Sequence, residues 1–167
     1  MKEMVVLGLG SNTRFGEMNS IELLHKACEE ISLLLCDMQQ SSIYQTKPMY
    51  VEEQEDFFNM VVCGSYEGDA KSLLSSIHEI EAKLGRNREK EIRFGPRSID
   101  IDIELFGDKN VQTQNLEIPH PRLYERAFVL VPLAELLCSG KVVLENEEEL
   151  FSALDSVDTS GVKIYNG

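Results

Sequence analysis

Alternating apolar and polar positions predict most of the β-structure in this chain. Residues 4–9 (MVVLGL) and 57–65 (FFNMVVCGS) are apolar runs. Within the predicted strand 98–106, residues 99–105 alternate strictly between isoleucine or leucine and acidic residues. A period of two places alternate side chains on one face of a strand. Residues 37–46 alternate more weakly and predict a further strand, and the first run is expected to end in a glycine turn.

Helical spacing separates these predicted strands. Apolar residues recur every three or four positions in residues 18–36 and 69–84, which is typical of amphipathic helices, and Gly85 is placed as the second helix's stop. Residues 111–118 predict a short hairpin arm. The stretch 118–137 (IPHPRLYERAFVLVPLAELL) begins as a proline-rich loop and continues as one or two short helices.

The resulting order, β-α-β-β-α-β, predicts an α+β fold. It fits a ferredoxin-like antiparallel sheet with two crossover helices packed on one face, followed by a C-terminal extension. A length of 167 residues without an internal linker indicates one domain over 1–167. The last ~20 residues give no clear pattern, as expected for weakly periodic segments.

Composition and charge limit the classes of function that the chain could have. The chain is 43% hydrophobic and 27% charged, and no apolar run is long enough to span a membrane, so a cytoplasmic protein without a membrane partner is expected. A net charge of −13 argues against a nucleic-acid partner. The four cysteines form no CxxC pair and are expected to be reduced core thiols: Cys28, Cys36, Cys63 and Cys138.

The most distinctive stretch is RFGPRSIDIDIELFG at 93–107. Its strand places Asp100, Asp102 and Glu104 on one face, directly after a segment (83–97) with six basic and two acidic residues. Carboxylates two residues apart can converge on a divalent cation, and arginines bind phosphate oxygens, so the pair suggests a platform for magnesium and a nucleotide. The alternatives are a surface strand without metal and a solvated basic loop.

A second candidate site combines aromatic rings with an amide. Phe57 and Phe128 could stack on a flat heterocycle, and Asn59 could donate and accept hydrogen bonds along its edge. The alternative is that both rings belong to the core and Asn59 to a turn or sheet edge. The chain has no P-loop, and GLGSNT lacks the final glycine of a dinucleotide-binding turn.

Several segments together resemble one family. RFGPRSIDIDIELFG, LGLGSN, SSIYQTKP, DFFNMVV, IEAKLGR and IPHPRLYERAFVLVPL are similar, in the same order, to segments of 6-hydroxymethyl-7,8-dihydropterin pyrophosphokinases. The resemblance spans roughly residues 4–138. It implies transfer of the β,γ-diphosphate of ATP to the pterin hydroxymethyl group in folate biosynthesis, with AMP as the other product.

The resemblance also implies roles for individual residues. Asp100 and Asp102 would hold two magnesium ions, and Arg86 and Arg97 would act with them in catalysis. The ATP-binding set is Glu81, Arg88, Arg93, Arg97, Ile103, His120 and Arg126. The pterin-binding set is Thr46, Pro48, Phe57, Asn59 and Phe128. ATP and the pterin are the expected partners, and the chain is expected to be a monomer.

Glu104 departs from the family pattern, in which this position is usually apolar. It is interpreted as a solvent-facing residue or an arginine partner, with a carboxylate beneath the metals as the third alternative. Two other functions remain open. A regulatory module would bind nucleotide or pterin without turnover, and a magnesium-dependent hydrolase would consume ATP without pterin.

Overall fold

The structure, a computed structural model, describes residues 2–47, 54–91 and 95–166. Its strands within these ranges are β1 (Glu3–Ser11), β2 (Cys36–Gln40), β3 (Tyr44–Thr46), β4 (Phe57–Tyr66), β5 (Asp100–Phe106), β6 (Val111–Gln112), β7 (Glu117–Ile118) and β8 (Lys163–Ile164). Its α-helices are α1 (Ser20–Ser32), α2 (Ala70–Lys83), α3 (Ala127–Cys138) and α4 (Glu147–Ser156). No helix in the described ranges is both long and apolar enough to cross a membrane.

The main sheet is antiparallel, and β4 lies at its centre. The strand order is β5-β1-β4-β3-β8, with β2 also paired to β4. The predicted α+β class with an antiparallel sheet is therefore confirmed. The order brings β5 and β4 to either side of β1, although they are far apart in sequence.

Alternation along β1 creates two cores, one on each face of the sheet. Val5, Leu7 and Leu9 pack with α1 and α2 on one face, whereas Val6 packs with α3 and α4 on the other. The predicted pair of helices on one face corresponds to α1 and α2. The second layer, α3 and α4, lies on the opposite face and was not predicted as a layer.

Side-chain caps fix where the two crossover helices begin. Asn19 accepts a hydrogen bond from Glu22 N while the Glu22 carboxylate accepts one from Asn19 N, which is a capping box for α1. Asp69 caps α2 by accepting from Ser72 N. Gly85 follows α2 with φ +96°, so the predicted glycine stop is confirmed.

Two local predictions need correction. The weak strand at 37–46 is two strands, β2 and β3, and the C-terminal β8 pairs with β3. Gly8 and Gly10 lie inside β1 rather than in a turn at its end. The predicted hairpin at 111–118 is confirmed by the pairing of β6 with β7.

The cysteines are free thiols, but only two belong to the core. Cys28 and Cys63 are buried, and burial raises the pKa of each thiol to about 12. Cys36 and Cys138 are exposed, so the prediction of a core position was wrong for these two. Cys36 lies on β2 and Cys138 ends α3, where each reaches the surface.

Candidate active site

Glycines in β1 form the floor of a cavity of about 260 Å³ on the α3 side of the sheet. Val6 on this face lies under α3, but the next two residues pointing the same way are Gly8 and Gly10. A Cβ at Gly8 would lie 2.8 Å from Glu104 Oε1, and one at Gly10 would lie 2.9 Å from Asn59 Oδ1. Glycine is required because side chains from both neighbouring strands cross this floor.

Three acidic residues of β5 line one wall of this cavity, as the alternation predicts. Register places Asp100 opposite Gly10 and Asp102 opposite Gly8. Burial, and then the charge of Asp102, raise the pKa of Asp100 to about 6, although 36% of its side chain remains exposed. Burial also raises the pKa of Asp102, and Arg126 opposes this rise. A cation bound at this wall would therefore stabilise the ionised form of these carboxylates.

Glu104 is the third of these acids and is fully buried. Burial, followed by the charge of Asp102, raises its pKa well above the ordinary value. Neither carboxyl oxygen has a hydrogen-bond partner among the described residues, and the nearest arginine nitrogen, Arg126 Nη1, lies 3.9 Å from Oε1. The solvent-facing interpretation was wrong, and the geometry favours an arginine partner.

Arg86 connects the acidic wall to α2. Its Nη1 donates to Glu81 Oε2 at 2.5 Å and to Asp100 Oδ1 at 2.7 Å, and its Nε donates to Glu91 Oε2 at 2.6 Å. Burial alone would lower the pKa of Arg86, but the hydrogen bond to Glu91 and the surrounding carboxylates raise it overall. Arg86 therefore stays charged and holds Asp100 in place.

Glu81 lies behind this arginine. Its carboxylate also accepts a hydrogen bond from Ile101 N at 2.9 Å, so it fastens α2 to β5. Glu81 is 1% exposed and is not among the residues that line this cavity, so its predicted place in the ATP site stays a prediction. Its contacts indicate an anchor for Arg86.

Arg126 and His120 lie beside Asp102, the middle residue of the acidic wall. Arg126 Nη1 lies 3.2 Å from Asp102 Oδ2 and 3.4 Å from His120 Nε2. Burial, and then Arg126, lower the pKa of His120 to about 4, so its ring is neutral at neutral pH. His120 Nδ1 accepts from Arg122 N, which assigns the ring proton to Nε2.

The far side of the same cavity holds the predicted rings and amide. Phe57 and Phe128 are half-buried, and Asn59 and Thr46 are 8% and 9% exposed. Asn59 Nδ2 donates to Thr46 Oγ1 at 2.8 Å, which fixes the orientation of the amide. All four side chains line the cavity, so neither ring is fully enclosed in the hydrophobic core. Asn59 lies within β4 rather than in a turn.

The strand that presents Thr46 is tied to α3. Glu135 of α3 accepts from the Tyr44 hydroxyl at 2.7 Å and from Ser42 N at 3.0 Å. Tyr44 lies opposite Asn59 in the pairing of β3 with β4. This contact therefore holds β3 in register beside the amide.

Asn12 is a residue whose role sequence reasoning missed. It is 3% exposed, and its side chain accepts from Arg97 N at 2.8 Å and donates to Gln54 Oε1 at 2.8 Å. It thus joins the loop that carries Arg97 to the residues just before β4. The signal was the polar Ser-Asn pair directly after the buried strand in LGLGSN.

A second cavity, of about 340 Å³, adjoins the first through Asp102 and His120. Its lining includes Ile103, which the resemblance assigns to the ATP site, together with Leu116 and His78. His78 of α2 is exposed at this wall. Pro48 and Arg93 lie outside the described residues, as does the side chain of Arg88.

The acidic wall fits magnesium carried with a nucleotide rather than a resident metal centre. Among the described residues, no three His, Cys, Asp or Glu side chains are arranged to hold a metal ion. Asp100 and Asp102 nevertheless offer oxygen ligands from one strand face. The carboxyl group of Glu104, which has no hydrogen-bond partner among the described residues, lies beside them. Magnesium is commonly bound by one or two carboxylates plus substrate phosphates and water, which is the donor set available here.

A cavity that joins paired carboxylates and arginines to rings and an amide is typical of a transferase acting between a nucleotide and a ring compound. Comparison with known proteins identifies the family. The family model described as 7,8-dihydro-6-hydroxymethylpterin-pyrophosphokinase (HPPK) matches residues 6–138. The chain belongs to this family, and the family predicted from the sequence is confirmed.

Individual relatives support the same family assignment. The chain is 38% identical to a 2-amino-4-hydroxy-6-hydroxymethyldihydropteridine pyrophosphokinase of Bacillus subtilis, over 99% of this chain and 92% of that protein. It is also 38% identical to a mitochondrial folate synthesis bifunctional protein of Arabidopsis thaliana, over 81% of this chain but 24% of that protein.

Solved structures share the fold at low identity. A Plasmodium falciparum HPPK-DHPS crystallised with pterin and p-hydroxybenzoate aligns with TM-score 0.65 and 16% identity, over 93% of this chain and 43% of that chain. An HPPK-DHPS in complex with substrates aligns with TM-score 0.67 and 16% identity, over 92% of this chain and 45% of that one. This chain thus spans less than half of each of these two solved chains.

Proposed function

We propose that this chain transfers the β,γ-diphosphate of ATP to the hydroxymethyl group of 6-hydroxymethyl-7,8-dihydropterin, releasing AMP, as a step of folate biosynthesis. The observation that carries the proposal is that one cavity has the Asp100–Asp102 wall on one side and Phe57, Asn59 and Phe128 on the other. A polyphosphate at the first side and a flat heterocycle at the second would bring their reacting groups together.

For the nucleotide, we propose that Asp100 and Asp102 bind two magnesium ions carried with the triphosphate. Bound magnesium would neutralise phosphate oxygens and lower the pKa of the substrate hydroxyl. The adjoining cavity, with Ile103 at its wall and His120 at its junction with the first, suits the adenosine part because it is partly apolar. Arg97 and Arg126 line the first cavity and are proposed to bind phosphate oxygens.

For the pterin, we propose that Phe57 and Phe128 contact its two faces. The amide of Asn59 would then form hydrogen bonds with the edge of the pterin ring. Its orientation is fixed because Nδ2 donates to Thr46 while Oδ1 points over Gly10. Pro48 would border this end of the site. The ring thus binds by stacking and by a few directed hydrogen bonds.

The chemical step needs one bond formed and one broken. The hydroxymethyl oxygen attacks the β-phosphorus, the bond from that phosphorus to the α,β-bridging oxygen breaks, and AMP leaves with the bridging oxygen. The hydroxyl proton is lost to AMP or to solvent. Arg86, Arg97 and Arg126 would stabilise the charge on the transferring group, and positioning without a dedicated general base suffices.

We also propose the fold type, domain organisation, oligomeric state and location that go with this activity. The strand order, with β5 and β4 flanking β1 and with β2 and β3 beyond β4, supports a ferredoxin-like core followed by a C-terminal extension. We propose that residues 1–167 form one pyrophosphokinase domain, that it acts as a cytoplasmic monomer, and that it binds neither nucleic acid nor membranes.

A product assay tests the function. Purified protein, ATP, magnesium and 6-hydroxymethyl-7,8-dihydropterin are mixed, and nucleotides and pterins are separated. We expect AMP and a diphosphorylated pterin that form together, and we expect Asp100→Ala and Asp102→Ala to lower turnover at least ~100-fold with unchanged circular dichroism. ADP formed without pterin would indicate a hydrolase, and binding without turnover would indicate a regulatory module.

A further inference from the structure

Glu104 is the one acid of the cavity wall that the proposed chemistry does not use. It is fully buried, and among the described residues neither of its carboxyl oxygens has a hydrogen-bond partner. A buried polar group without a partner costs stability, so its presence calls for a physical reason. Its side chain lines the main cavity two residues beyond Asp102.

Two features of the backbone place this carboxyl at the cavity floor. The pairing of β1 with β5 shifts between Val6 and Leu7, so Glu104 is the extra residue of a bulge and has no opposite residue in that pairing. Its freed carbonyl oxygen instead accepts from His120 N at 2.9 Å. Gly8 leaves the space that the Glu104 carboxyl occupies.

The carboxyl lies beside an arginine that has several acceptors within reach. Arg126 Nη1 is 3.2 Å from Asp102 Oδ2, within hydrogen-bonding distance, and 3.9 Å from Glu104 Oε1, just beyond it. The Arg126 guanidinium carbon also lies 5.4 Å from the centre of the Phe128 ring. Arg126 therefore spans the acidic wall and the ring side of the cavity.

We propose that Glu104 is a positioning residue that becomes the acceptor for Arg126 when the oxygens of Asp102 turn to a magnesium–nucleotide complex. This inference rests on the proposed function. Arg126 is only 18% exposed, so losing Asp102 without a substitute would remove the carboxylate of the protein that holds this mostly buried cation in its orientation toward the phosphates. Glu104 is the next acidic residue along the same strand face, and its Oε1 already lies 3.9 Å from Arg126 Nη1. It thereby keeps Arg126 over Phe128 and aimed at the phosphates.

Binding measurements on two variants test this role. Glu104→Gln keeps an oxygen that can accept from Arg126, whereas Glu104→Met is similar in size and has no such oxygen. The probe is α,β-methylene-ATP, whose bridging carbon blocks cleavage, titrated by calorimetry with magnesium and with EDTA. We expect Glu104→Met to weaken binding about tenfold with magnesium and to leave binding in EDTA unchanged, because Asp102 then still holds Arg126. Glu104→Gln should stay close to the unsubstituted protein.

The inference is overturned if Glu104→Met binds the magnesium complex normally, or if it loses affinity equally in both conditions. An Arg126→Met background gives a second check: there Glu104→Met should cause no further loss, and a persisting loss would also overturn the inference. The product assay on the unsubstituted protein is run in parallel. Absent turnover would refute the proposed function, whereas the binding comparison decides the role of Glu104 separately.

Discussion

Replacing Glu104 with methionine should make the protein more stable while weakening its magnesium-dependent binding of nucleotide. Glu104 is 0% exposed, and its two carboxyl oxygens find no hydrogen-bond partner among the described residues. Methionine has a similar volume, adapts to irregular space, and removes both unsatisfied oxygens. Arg126 keeps its hydrogen bond to Asp102 in the absence of ligand, so no buried partner is orphaned by the change.

The magnitude follows from the cost of an unsatisfied buried group. Such a group costs about 1–3 kcal/mol, and exchange of buried ionic groups for apolar ones of similar volume is often neutral or stabilising by about 1–4 kcal/mol. We therefore expect the free energy of unfolding to rise by about 1–3 kcal/mol. For a chain of this size, ~2–4 °C per kcal/mol gives a rise in Tm of roughly 2–12 °C.

The gain should depend on pH with a definite sign. Burial, and then the charge of Asp102, raise the pKa of Glu104 well above 4.5 in the folded protein. The folded chain therefore retains this proton when the unfolded chain has lost it, and the contribution of Glu104 to stability falls as the pH rises above about 4.5. The advantage of Glu104→Met should accordingly be smallest near pH 4 and larger near pH 7.

The assay is urea and thermal unfolding, followed by circular dichroism at pH 4.5 and pH 7.5 without magnesium. Glu104→Gln is the matched control, because it keeps a polar group buried at the same place and should gain little. Equal or lower stability of Glu104→Met at pH 7.5 would refute the reasoning. A gain of the same size at both pH values would refute the linkage to the Glu104 proton.

Two further substitutions probe the cavity wall and floor. Arg86→Met should lower the free energy of unfolding by about 3–5 kcal/mol in urea titrations, because it removes the buried guanidinium that pairs with the carboxylate of Glu81, whose side chain is 2% exposed. A loss below ~1 kcal/mol would contradict this. Gly10→Ala should raise the KM for the pterin about tenfold or more, because the new Cβ would lie 2.9 Å from Asn59 Oδ1. Gly161→Ala is the control: its new Cβ would meet no atom within 4 Å, so it should change neither the KM for the pterin nor the KM for ATP. If Gly10→Ala raised the KM for ATP as much as the KM for the pterin, that result would argue against a pterin site here.

Local periodicity was sufficient to predict the central part of the fold. β1, β4 and β5 follow from alternation, and α1 and α2 follow from helical spacing, because each of these elements buries one face. The strand β8 could not be predicted in this way. It has two residues and exists through its pairing with β3, which is far away in sequence.

The site was predictable where its residues share one strand, and less so where several strands meet. Asp100 and Asp102 lie two apart, so one strand face brings them together. Gly8 and Gly10 were interpreted as a turn, because the side chains that require glycine there come from β4 and β5. Glu81 was placed beside ATP by resemblance, whereas its contacts with Arg86 and with the backbone of β5 depend on how α2 packs.

The most direct test of the central claim is to follow each phosphorus of ATP through one reaction. ATP labelled separately at the α-, β- and γ-phosphorus is incubated with protein, magnesium and 6-hydroxymethyl-7,8-dihydropterin, and the label in each product is counted. The account predicts that β and γ labels reach the pterin in equal amounts while the α label stays in AMP. A pterin carrying only the γ label, or label released as free phosphate without pterin, would contradict it.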